Sequence, residues 1–331
     1  MDDKYFLKET LKLAKMGSGW TNPNPMVGAV IVKNGRLIGK GFHRRAGSPH
    51  AEIEALNKTT EDPKGSTLYI NLEPCSFFGK TPPCTDAIIK SKIKKVVFSS
   101  LDPNPKVCGK GKEILEKAGI QTTVGTLENE ARTLNEAFFT YHEKKRPFIA
   151  LKFAASLDGK IATKSGHSKW ITNERARKYA RSLRGKYHAV LVGINTVVKD
   201  NPHLGVRVKG KKDPIRIILG DKKQIHTTSQ VLRDNNFLII STKTIPDLLS
   251  VLKEKEIISV LVEGGGETLG NFLDCGIIDK VYAFHAPILI GGKNAVSIGG
   301  NGAQTVQKAM KLKNISYKKF SDNLLTTGYA L

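Results

Sequence analysis

The chain has 331 residues, of which 40% are hydrophobic and 25% charged, an ordinary globular composition in a length sufficient for two domains. No apolar run approaches the roughly 18 residues of a membrane-spanning helix, and the acidic start lacks the basic residues of a secretory signal. Four cysteines are too few for a disulfide scaffold. We therefore expect a cytoplasmic protein.

The formal net charge of +23 is the unusual bulk property, and a strongly basic chain is compatible with nucleic-acid binding. The 53 Lys and Arg residues are scattered in short clusters, without interleaved aromatic residues that would stack on bases. We therefore expect a solvated, lysine-rich surface that attracts small phosphorylated substrates, and neither nucleic acid nor a membrane as a partner.

The first half of the chain predicts a hairpin followed by alternating helices and strands. Asn34-Gly35, between strands over 27–33 and 36–42, indicates a tight type I′ turn. The periodicity further predicts helices over 4–16, 51–58, 85–91, 111–118 and 128–144, and strands over 67–72, 95–99 and 120–124. This order predicts a mixed sheet covered by helices on both faces.

Pro147 follows a charged run and disfavours helical geometry in the residue before it, so we place a domain boundary between residues 1–146 and 147–331. A second alternation then begins. It predicts strands over 148–155, 188–192, 215–219, 237–241, 259–263 and 280–286, helices over 174–184 and 268–273, and a helical turn after Gly193. No repeat relates the two halves, which predicts two different α/β domains.

Three side chains in the first half have the chemistry of a catalytic zinc site. His50, Cys75 and Cys84 supply donors that zinc prefers, and three protein ligands leave a fourth position for an attacking water. Glu52 is suited to move the proton of that water to the ring and to the leaving ammonia. A buried cysteine pair or an exposed His-x-Glu would be ordinary alone. Together they are the signature of zinc-dependent nucleobase deaminases, which predicts one Zn²⁺ per chain.

Eight residues separate Cys75 from Cys84, where nucleoside and tRNA deaminases usually have two. The strings EPCSFFGKTPPC at 73–84, TNPNPMVGAVIV at 21–32 and DPNP at 102–105 resemble the bifunctional deaminase-reductase family of riboflavin biosynthesis, RibD or RibG, and the resemblance spans the chain. It implies a cytidine-deaminase-like three-layer α/β/α sandwich. Its substrate is a diaminopyrimidinone that carries a ribosylamino 5′-phosphate. The residues implied to line its site are Asn24, His43, Lys80, Asp102 and Asn104.

Two of these residues also suit an ordinary structural role, because Asn24 and Asn104 lie beside prolines and are common turn residues. Phe77 departs from the family, which usually has a histidine at this place. A phenyl ring stacks on a pyrimidine but makes no hydrogen bond, so we expect an altered affinity or rate while the zinc ligands and Glu52 remain.

The second half resembles the reductase domain of the same family, which has a dihydrofolate-reductase-like fold. The matching strings are LKFAASLDGK at 151–160, SKWIT at 168–172, VGINTVVKDNPHL at 192–204 and VEGGGETLGNFL at 262–273. The glycines at 264–266 and 270 lack G-x-G-x-x-G spacing, which disfavours a Rossmann fold. Between a strand and a helix they either bind a dinucleotide phosphate or form a plain turn.

The resemblance implies that NADPH reduces the ribosyl group of the deaminated product to ribityl, without an obvious side-chain proton donor. The implied NADPH contacts are Ala154, Trp170, Thr196, Asp200, Asp221, Gly265 and Gly266. The implied substrate contacts are Ser168, Arg184, Leu204, Arg207 and Glu263. The two arginines suit a phosphate, and equally a surface charge. Gly220, just before Asp221, stands where the family commonly has an aspartate.

We compare three functions for this sequence. The first is the bifunctional enzyme, a homo-oligomer acting on small phosphorylated pyrimidines. The second is a tRNA or other nucleic-acid deaminase with an accessory domain, which the net charge favours and the Cys75–Cys84 spacing and the second half oppose. The third is a fold with one inactive domain, suggested by Phe77 and Gly220. The combined motifs favour the first.

Overall fold

The computed structural model describes residues 2–79 and 82–331, which divide into two compact units that meet in sequence between Lys145 and Arg146. Each unit contains one sheet with helices on both of its faces, which confirms the predicted α/β class. Among the described residues no helix has the length and apolar character needed to cross a membrane.

The strands of the first unit are β1 (Gly28–Lys33), β2 (Arg36–Phe42), β3 (Thr67–Ile70), β4 (Lys95–Phe98) and β5 (Gln121–Val124). Its helices are α1 (Asp3–Lys15), α2 (Ala51–Leu56), α3 (Cys84–Lys90), α4 (Lys110–Lys117), α5 (Glu128–Leu134) and α6 (Glu136–Glu143). The sheet order is β2-β1-β3-β4-β5, antiparallel from β2 to β3 and parallel from β3 to β5. Helices and strands thus alternate as predicted.

Successive side chains of β1 point to opposite faces of the sheet, so the buried residues of this unit form a core on each face. Ile31 packs with α2 and α3 through Ala55 and Ile88, whereas Val30 packs with Leu7 of α1 on the opposite face. The hairpin has the predicted two-residue turn, since Asn34 and Gly35 have φ angles of 48° and 75°, as a type I′ turn requires.

The single helix predicted over 128–144 is wrong, because Asn135 separates α5 from α6. The Asn135 amide binds both backbone groups of Met26: its Oδ1 accepts from the Met26 N–H at 2.8 Å, and its Nδ2 donates to the Met26 carbonyl at 2.9 Å. Asn71 donates to the same carbonyl and accepts from the Gly28 N–H. The two asparagines thereby fix the segment that follows Asn24.

The strands of the second unit are β6 (Phe148–Ser156), β7 (Ala189–Gly193), β8 (Ile215–Leu219), β9 (Phe237–Ile240), β10 (Ser259–Val262), β11 (Lys280–Ala286), β12 (Leu312–Phe320) and β13 (Asn323–Ala330). Its helices are α7 (Glu174–Arg184), α8 (Ile194–Asp200), α9 (Ile245–Glu254) and α10 (Gly266–Asp274). The sheet order is β12-β13-β11-β6-β10-β7-β8-β9, and the strands from β11 to β9 are parallel.

The parallel strands of this sheet are buried on both faces. Leu191 packs towards α9 and α10, while its neighbour Val190 packs with Val197 of α8. In such sheets ligands bind beyond the carboxyl ends of the strands. This edge is therefore where a site is expected.

Three elements of the second unit were not predicted: α9 and the strands β12 and β13. Helix α9 had recognisable signals, with Thr244 as N-cap, Pro246 in its first turn and Leu248, Leu249 and Leu252 on one face. Strand β12 had none, because it lies at the sheet edge and none of its residues is buried.

Candidate active sites

His50, Cys75 and Cys84 come together in the first unit. His50 is the N-cap residue of α2, Cys75 follows β3, and Cys84 begins α3. The His50 Nδ1 atom lies 3.4 Å from the Cys75 Sγ atom and 3.3 Å from the Cys84 Sγ atom. A nitrogen and a thiolate sharing a tetrahedral zinc ion are roughly 3.6 Å apart, as follows from metal-ligand distances near 2.1 and 2.3 Å. The donor set therefore fits zinc in kind and in spacing.

The sulfur atoms of this trio differ in their hydrogen bonds. Cys75 receives hydrogen bonds from Cys84 and His50, which lower the pKa of its thiol. The pKa of the Cys84 thiol is raised, because it is the donor to Cys75 and is buried. Zinc binds both sulfurs as thiolates, and the hydrogen bonds to Cys75 already favour that form.

Glu52 lies on the first turn of α2 and is only 3% exposed. Burial raises the pKa of its carboxyl group to about 7, although the nearby charge of His50 opposes the shift. A carboxyl group with a pKa near neutrality can both accept and return a proton, which is the property a general acid-base catalyst needs.

His43 and Asn24 form a hydrogen bond next to the cluster of His50, Cys75 and Cys84. The His43 Nδ1 atom lies 3.2 Å from the Pro49 carbonyl, so it carries the proton and donates, and Nε2 then accepts from the Asn24 Nδ2 atom at 3.1 Å. The rings of His43 and His50 pack edge to face with centroids 5.3 Å apart. Burial lowers the pKa of His43, which favours the neutral ring, and the hydrogen bond to Nε2 fixes the orientation of the Asn24 amide.

Glu73 has a role that the sequence did not reveal. Its buried carboxylate accepts backbone hydrogen bonds from Asp102 at 3.1 Å, Gly109 at 3.0 Å and Lys112 at 3.0 Å. The N–H groups of Gly109 and Lys112 are at the start of α4, where a helix has no backbone acceptors for them. The N-cap residue Gly109 has no side chain that could accept these hydrogen bonds. Glu73 therefore caps α4 from a distance and ties the segment at Cys75 to the loop at Asp102. The available signal was a carboxylate directly before Pro-Cys.

Asp102 and Asn104 lie in the loop that Glu73 holds. The Asp102 Oδ1 atom accepts from the Asn104 N–H at 2.7 Å. Burial raises the pKa of Asp102 to about 7, and the negative charge of Glu73 adds to the shift. Phe77 is half-buried, and Lys80 lies outside the described residues.

A cavity of about 870 Å³ lies at the carboxyl ends of the parallel strands of the second unit. All but one of the residues predicted for the reductase site line it. These are Ala154, Trp170, Thr196, Asp200, Gly265, Gly266, Ser168, Arg184, Leu204, Arg207 and Glu263. The motifs quoted from four separate segments thus converge on one cavity.

Asp221 is the residue that does not line this cavity. Its carboxylate accepts a hydrogen bond from the Lys223 N–H at 2.9 Å and caps a short 3₁₀ turn. Gly220 directly before it has a φ of 146°, and a Cβ atom there would lie 2.5 Å from the Cβ atom of Ile194. The close packing of β8 against α8 therefore excludes a larger residue at position 220.

Glu263 forms the electrostatic centre of the cavity. Its side chain is 6% exposed and pairs with the Arg184 Nε and Nη2 atoms at 2.7 and 2.9 Å and with the Lys152 Nζ atom at 3.0 Å. Burial alone would raise the pKa of Glu263, but the charges of Arg184 and Lys152 hold it at about 2. Lys152 was not predicted as a site residue, although a lysine inside the buried strand β6 is a usable signal.

Arg207 presents a different kind of cation. It lines the cavity, is exposed, and forms no ion pair within the described part of the chain. Partial burial and then the charges of Arg184, Arg181 and Arg233 lower its pKa. Since Glu263 occupies the bidentate edge of Arg184, Arg207 is the arginine better placed for an anionic ligand.

The glycine turn before α10 allows close approach of the backbone. A Cβ atom on Gly266 would lie 2.1 Å from the Ser297 carbonyl, and one on Gly264 would lie 2.4 Å from Thr268 Cβ. Gly265, the N-cap of α10, faces open space, with Thr196 Oγ1 3.8 Å from such a Cβ atom. The N–H groups at the start of α10 thus border the cavity.

The fold and the two sites define a class of two-domain α/β enzymes, in which a deaminase-type domain precedes a reductase-type domain. Residues 1–100 match the family model of the cytidine and deoxycytidylate deaminase zinc-binding region, and residues 147–326 match that of the RibD C-terminal domain. The chain belongs to the RibD family.

Relatives match over nearly the full chain. The riboflavin biosynthesis protein RibD of Aquifex aeolicus is 46% identical, and the match covers 98% of this chain and 97% of the relative. The RibD protein of Escherichia coli is 37% identical, and the match covers 88% of this chain and 89% of the relative. Acinetobacter baumannii RibD superposes with a TM-score of 0.93 at 36% identity, and the Thermotoga maritima deaminase/reductase with 0.90 at 40% identity. Each covers 99% of both chains.

Proposed function

We propose that this chain catalyses two successive steps of riboflavin biosynthesis. Residues 1–146 deaminate a diaminopyrimidinone that carries a ribosylamino 5′-phosphate, and residues 147–331 then use NADPH to reduce the ribosyl group of the aminouracil product to ribityl. The observation that carries the proposal is the presence, in one chain, of a His/Cys/Cys cluster with a buried carboxylate and of a cationic cavity of nucleotide-binding size.

His50, Cys75 and Cys84 hold one zinc ion in this proposal, and the ion supplies a Lewis acid that makes water nucleophilic near neutral pH. Glu52 accepts a proton from the attacking water. It delivers this proton to the ring nitrogen, and then moves the remaining proton of the added hydroxyl group to the departing amine. The C–N bond breaks as the carbonyl forms, so that water and the exocyclic amine are exchanged for a carbonyl oxygen and ammonia.

The substrate contacts follow from the groups around this centre. With Nδ2 committed to His43, the Asn24 Oδ1 atom is the end of the amide left to accept a hydrogen bond from the ligand. Asp102, which lies near enough to Cys75 to feel its charge, and Asn104 belong to the loop held by Glu73 and are proposed as substrate contacts. Lys80 is proposed as a phosphate contact from the family resemblance alone.

NADPH supplies the hydride for the second step. Gly265 and Gly266 offer backbone N–H groups to its diphosphate at the start of α10, and Ala154, Trp170, Thr196 and Asp200 border it. We leave Asp221 out of this set, because its carboxylate caps a turn away from the cavity lining.

Lys152 is the proton donor that we propose for the reduction. The C1′–O4′ bond of the ribosyl ring breaks, the hydride forms a C–H bond at C1′, and O4′ takes up a proton. Lys152 lines the cavity as an ammonium paired with Glu263 and can deliver that proton. Arg207 binds the 5′-phosphate, Glu263 and Arg184 orient the substrate, and Ser168 and Leu204 complete its surroundings.

Two variants test the assignment of each reaction to its own unit. Cys84→Ser removes a zinc ligand, so ammonia release is lost while NADPH oxidation on the aminouracil substrate continues. Arg207→Ala removes the phosphate contact, so KM for the aminouracil substrate in NADPH oxidation rises while ammonia release continues. If both variants left both half-reactions intact, the assignments would be wrong. A separate gel-shift experiment tests the alternative: a shift with tRNA that weakens with salt would favour the nucleic-acid deaminase.

A further inference from the structure

The loop from Asn201 to Arg207 carries two of the proposed substrate contacts in an unfavourable backbone conformation. Asn201, Leu204 and Arg207 have φ angles of 42°, 56° and 56°. This left-handed region is unfavourable for residues other than glycine, and asparagine alone among these three tolerates it well. Contacts from outside the loop must therefore maintain its conformation.

Arg233 and Asp213 supply such contacts at the centre of the loop. The Arg233 Nη1 atom donates to the His203 carbonyl at 2.6 Å, and its Nη2 atom donates to the Asp213 Oδ2 atom at 2.8 Å. The other Asp213 oxygen accepts from the Val206 N–H at 2.8 Å. One ion pair thus holds backbone groups on both sides of Leu204.

Neighbouring contacts fix the start of the loop and leave no space between it and Asp213. The Gln230 N–H and Nε2 groups donate to the side chain and the carbonyl of Asn201, at 2.8 and 3.0 Å. At Gly205 a Cβ atom would lie 2.6 Å from the Asp213 Oδ2 atom. A larger residue at this position would therefore displace the side chain of Asp213 or that of His203.

The segment that carries Arg233 is itself tied to the sheet by a buried arginine. Arg216 of β8 is fully buried, and its Nε atom donates to the Val231 carbonyl at 2.8 Å. Its Nη2 atom pairs with the Asp234 carboxylate. The core of the second unit is therefore connected through Arg216 and Arg233 to the loop.

We propose that Arg233 and Asp213 are positioning residues for the reductase substrate, although neither of them lines the cavity. They hold the loop so that Leu204 and Arg207 face the ligand. The substrate class is that of the proposed function: a pyrimidine whose ribosyl group carries a 5′-phosphate. Loss of the pair lets the loop relax and withdraws Arg207 from the phosphate.

The test uses Arg233→Gln and Asp213→Asn in the full chain, with Arg175→Gln as a matched control on the exposed side of α7. We expect each of the first two variants to raise KM for the aminouracil substrate about tenfold, with kcat within about threefold. KM for NADPH and the deaminase half-reaction remain unchanged. For the substrate without its phosphate, the effect on KM disappears. The double variant has the same KM for the aminouracil substrate as either single variant, because both changes break the same ion pair.

Hydrogen-deuterium exchange tests the positioning role independently of the proposed function, because the measurement does not depend on enzyme activity. Peptides covering residues 201–207 should exchange faster in Arg233→Gln than in Arg175→Gln, with the sheet unchanged. Unaltered exchange in that loop overturns the proposal, as does an equal effect on KM for the phosphorylated and unphosphorylated substrates. An inactive wild-type protein with faster exchange in the variant would refute the proposed function alone.

Discussion

Arg184 and Glu263 face each other in a two-point ion pair, with Nε and Nη2 of the arginine 2.7 and 2.9 Å from the two carboxylate oxygens. Their side chains are 13% and 6% exposed, so the pair is screened little by solvent. The third Arg184 nitrogen, Nη1, donates to the Gly205 carbonyl. Arg184 therefore organises the cavity wall, whereas Arg207 is available to a phosphate.

Replacing Glu263 by glutamine is expected to abolish the reductase reaction and to destabilise the second unit. The change leaves the cations of Arg184 and Lys152 buried without a counter-charge, which typically costs about 3 kcal/mol. NADPH oxidation should fall at least about 100-fold, as measured under steady-state conditions.

The control for Glu263→Gln is Glu254→Gln at the exposed end of α9, which should retain full reductase activity. The deaminase half-reaction of both variants should equal that of the wild type. Wild-type NADPH oxidation by Glu263→Gln would show that the buried charge has no part in the reaction.

Replacing Glu52 by glutamine is expected to retain zinc and lose deamination. The metal ligands remain, but the amide cannot accept the proton of the attacking water, a loss of about 10³-fold in rate. Ammonia release and metal content measured on the same preparation check this. Glu54→Gln, two residues further along α2, should behave as the wild type, and substantial activity in Glu52→Gln would refute the proton-transfer role.

Replacing Glu73 by glutamine is expected to weaken the binding of the deaminase substrate. An amide presents N–H groups to N–H groups, so at least one of the hydrogen bonds from Asp102, Gly109 and Lys112 is lost. We expect KM for the pyrimidinone to rise about tenfold, with zinc retained. Glu113→Gln, an exposed carboxylate in the first turn of α4, is the control. Equal KM values in the two variants would contradict the role of Glu73.

His188 is expected to make the second unit less stable in mild acid. Burial lowers its pKa from the ordinary 6.5 to about 4, and its Nδ1 atom accepts a hydrogen bond from the Ile258 N–H. Below pH 6.5 His188 binds a proton in the unfolded chain but stays neutral in the folded chain. The free energy of unfolding is therefore highest above pH 6.5 and decreases as the pH falls towards 4. The decline is about 3 kcal/mol. Thermal unfolding of the wild type and His188→Gln between pH 7 and 4 measures it, and parallel curves would contradict the assignment.

Much of the fold was predictable because local signals agreed with the tertiary structure. Asn34-Gly35 specified the hairpin turn, and the helix predicted over 174–184 has the observed bounds. His50, Cys75 and Cys84 were predicted from residue type, order and the known deaminase signature, and the structure brings these donor atoms within 4.8 Å of one another.

The remaining features depend on partners distant in sequence. Asn135 leaves the helical conformation to bind Met26, 109 positions away in the chain, and no local pattern reports that bond. Glu73 stands out as a carboxylate directly before Pro-Cys, but its hydrogen-bond partners lie in a later loop and cannot be read from that pattern. Arg233 likewise binds a loop about 30 positions earlier in the chain. The edge strand β12 has no buried face and hence no alternating pattern.

Simultaneous measurement of both half-reactions tests the central claim most directly. Zinc-loaded protein is given the diaminopyrimidinone phosphate and NADPH, and ammonia release and NADPH oxidation are followed together. The two-step account predicts that ammonia appears first and that NADPH is then oxidised in an equal amount. NADPH oxidation that begins without preceding ammonia release, or ammonia release that is never followed by oxidation, would contradict it.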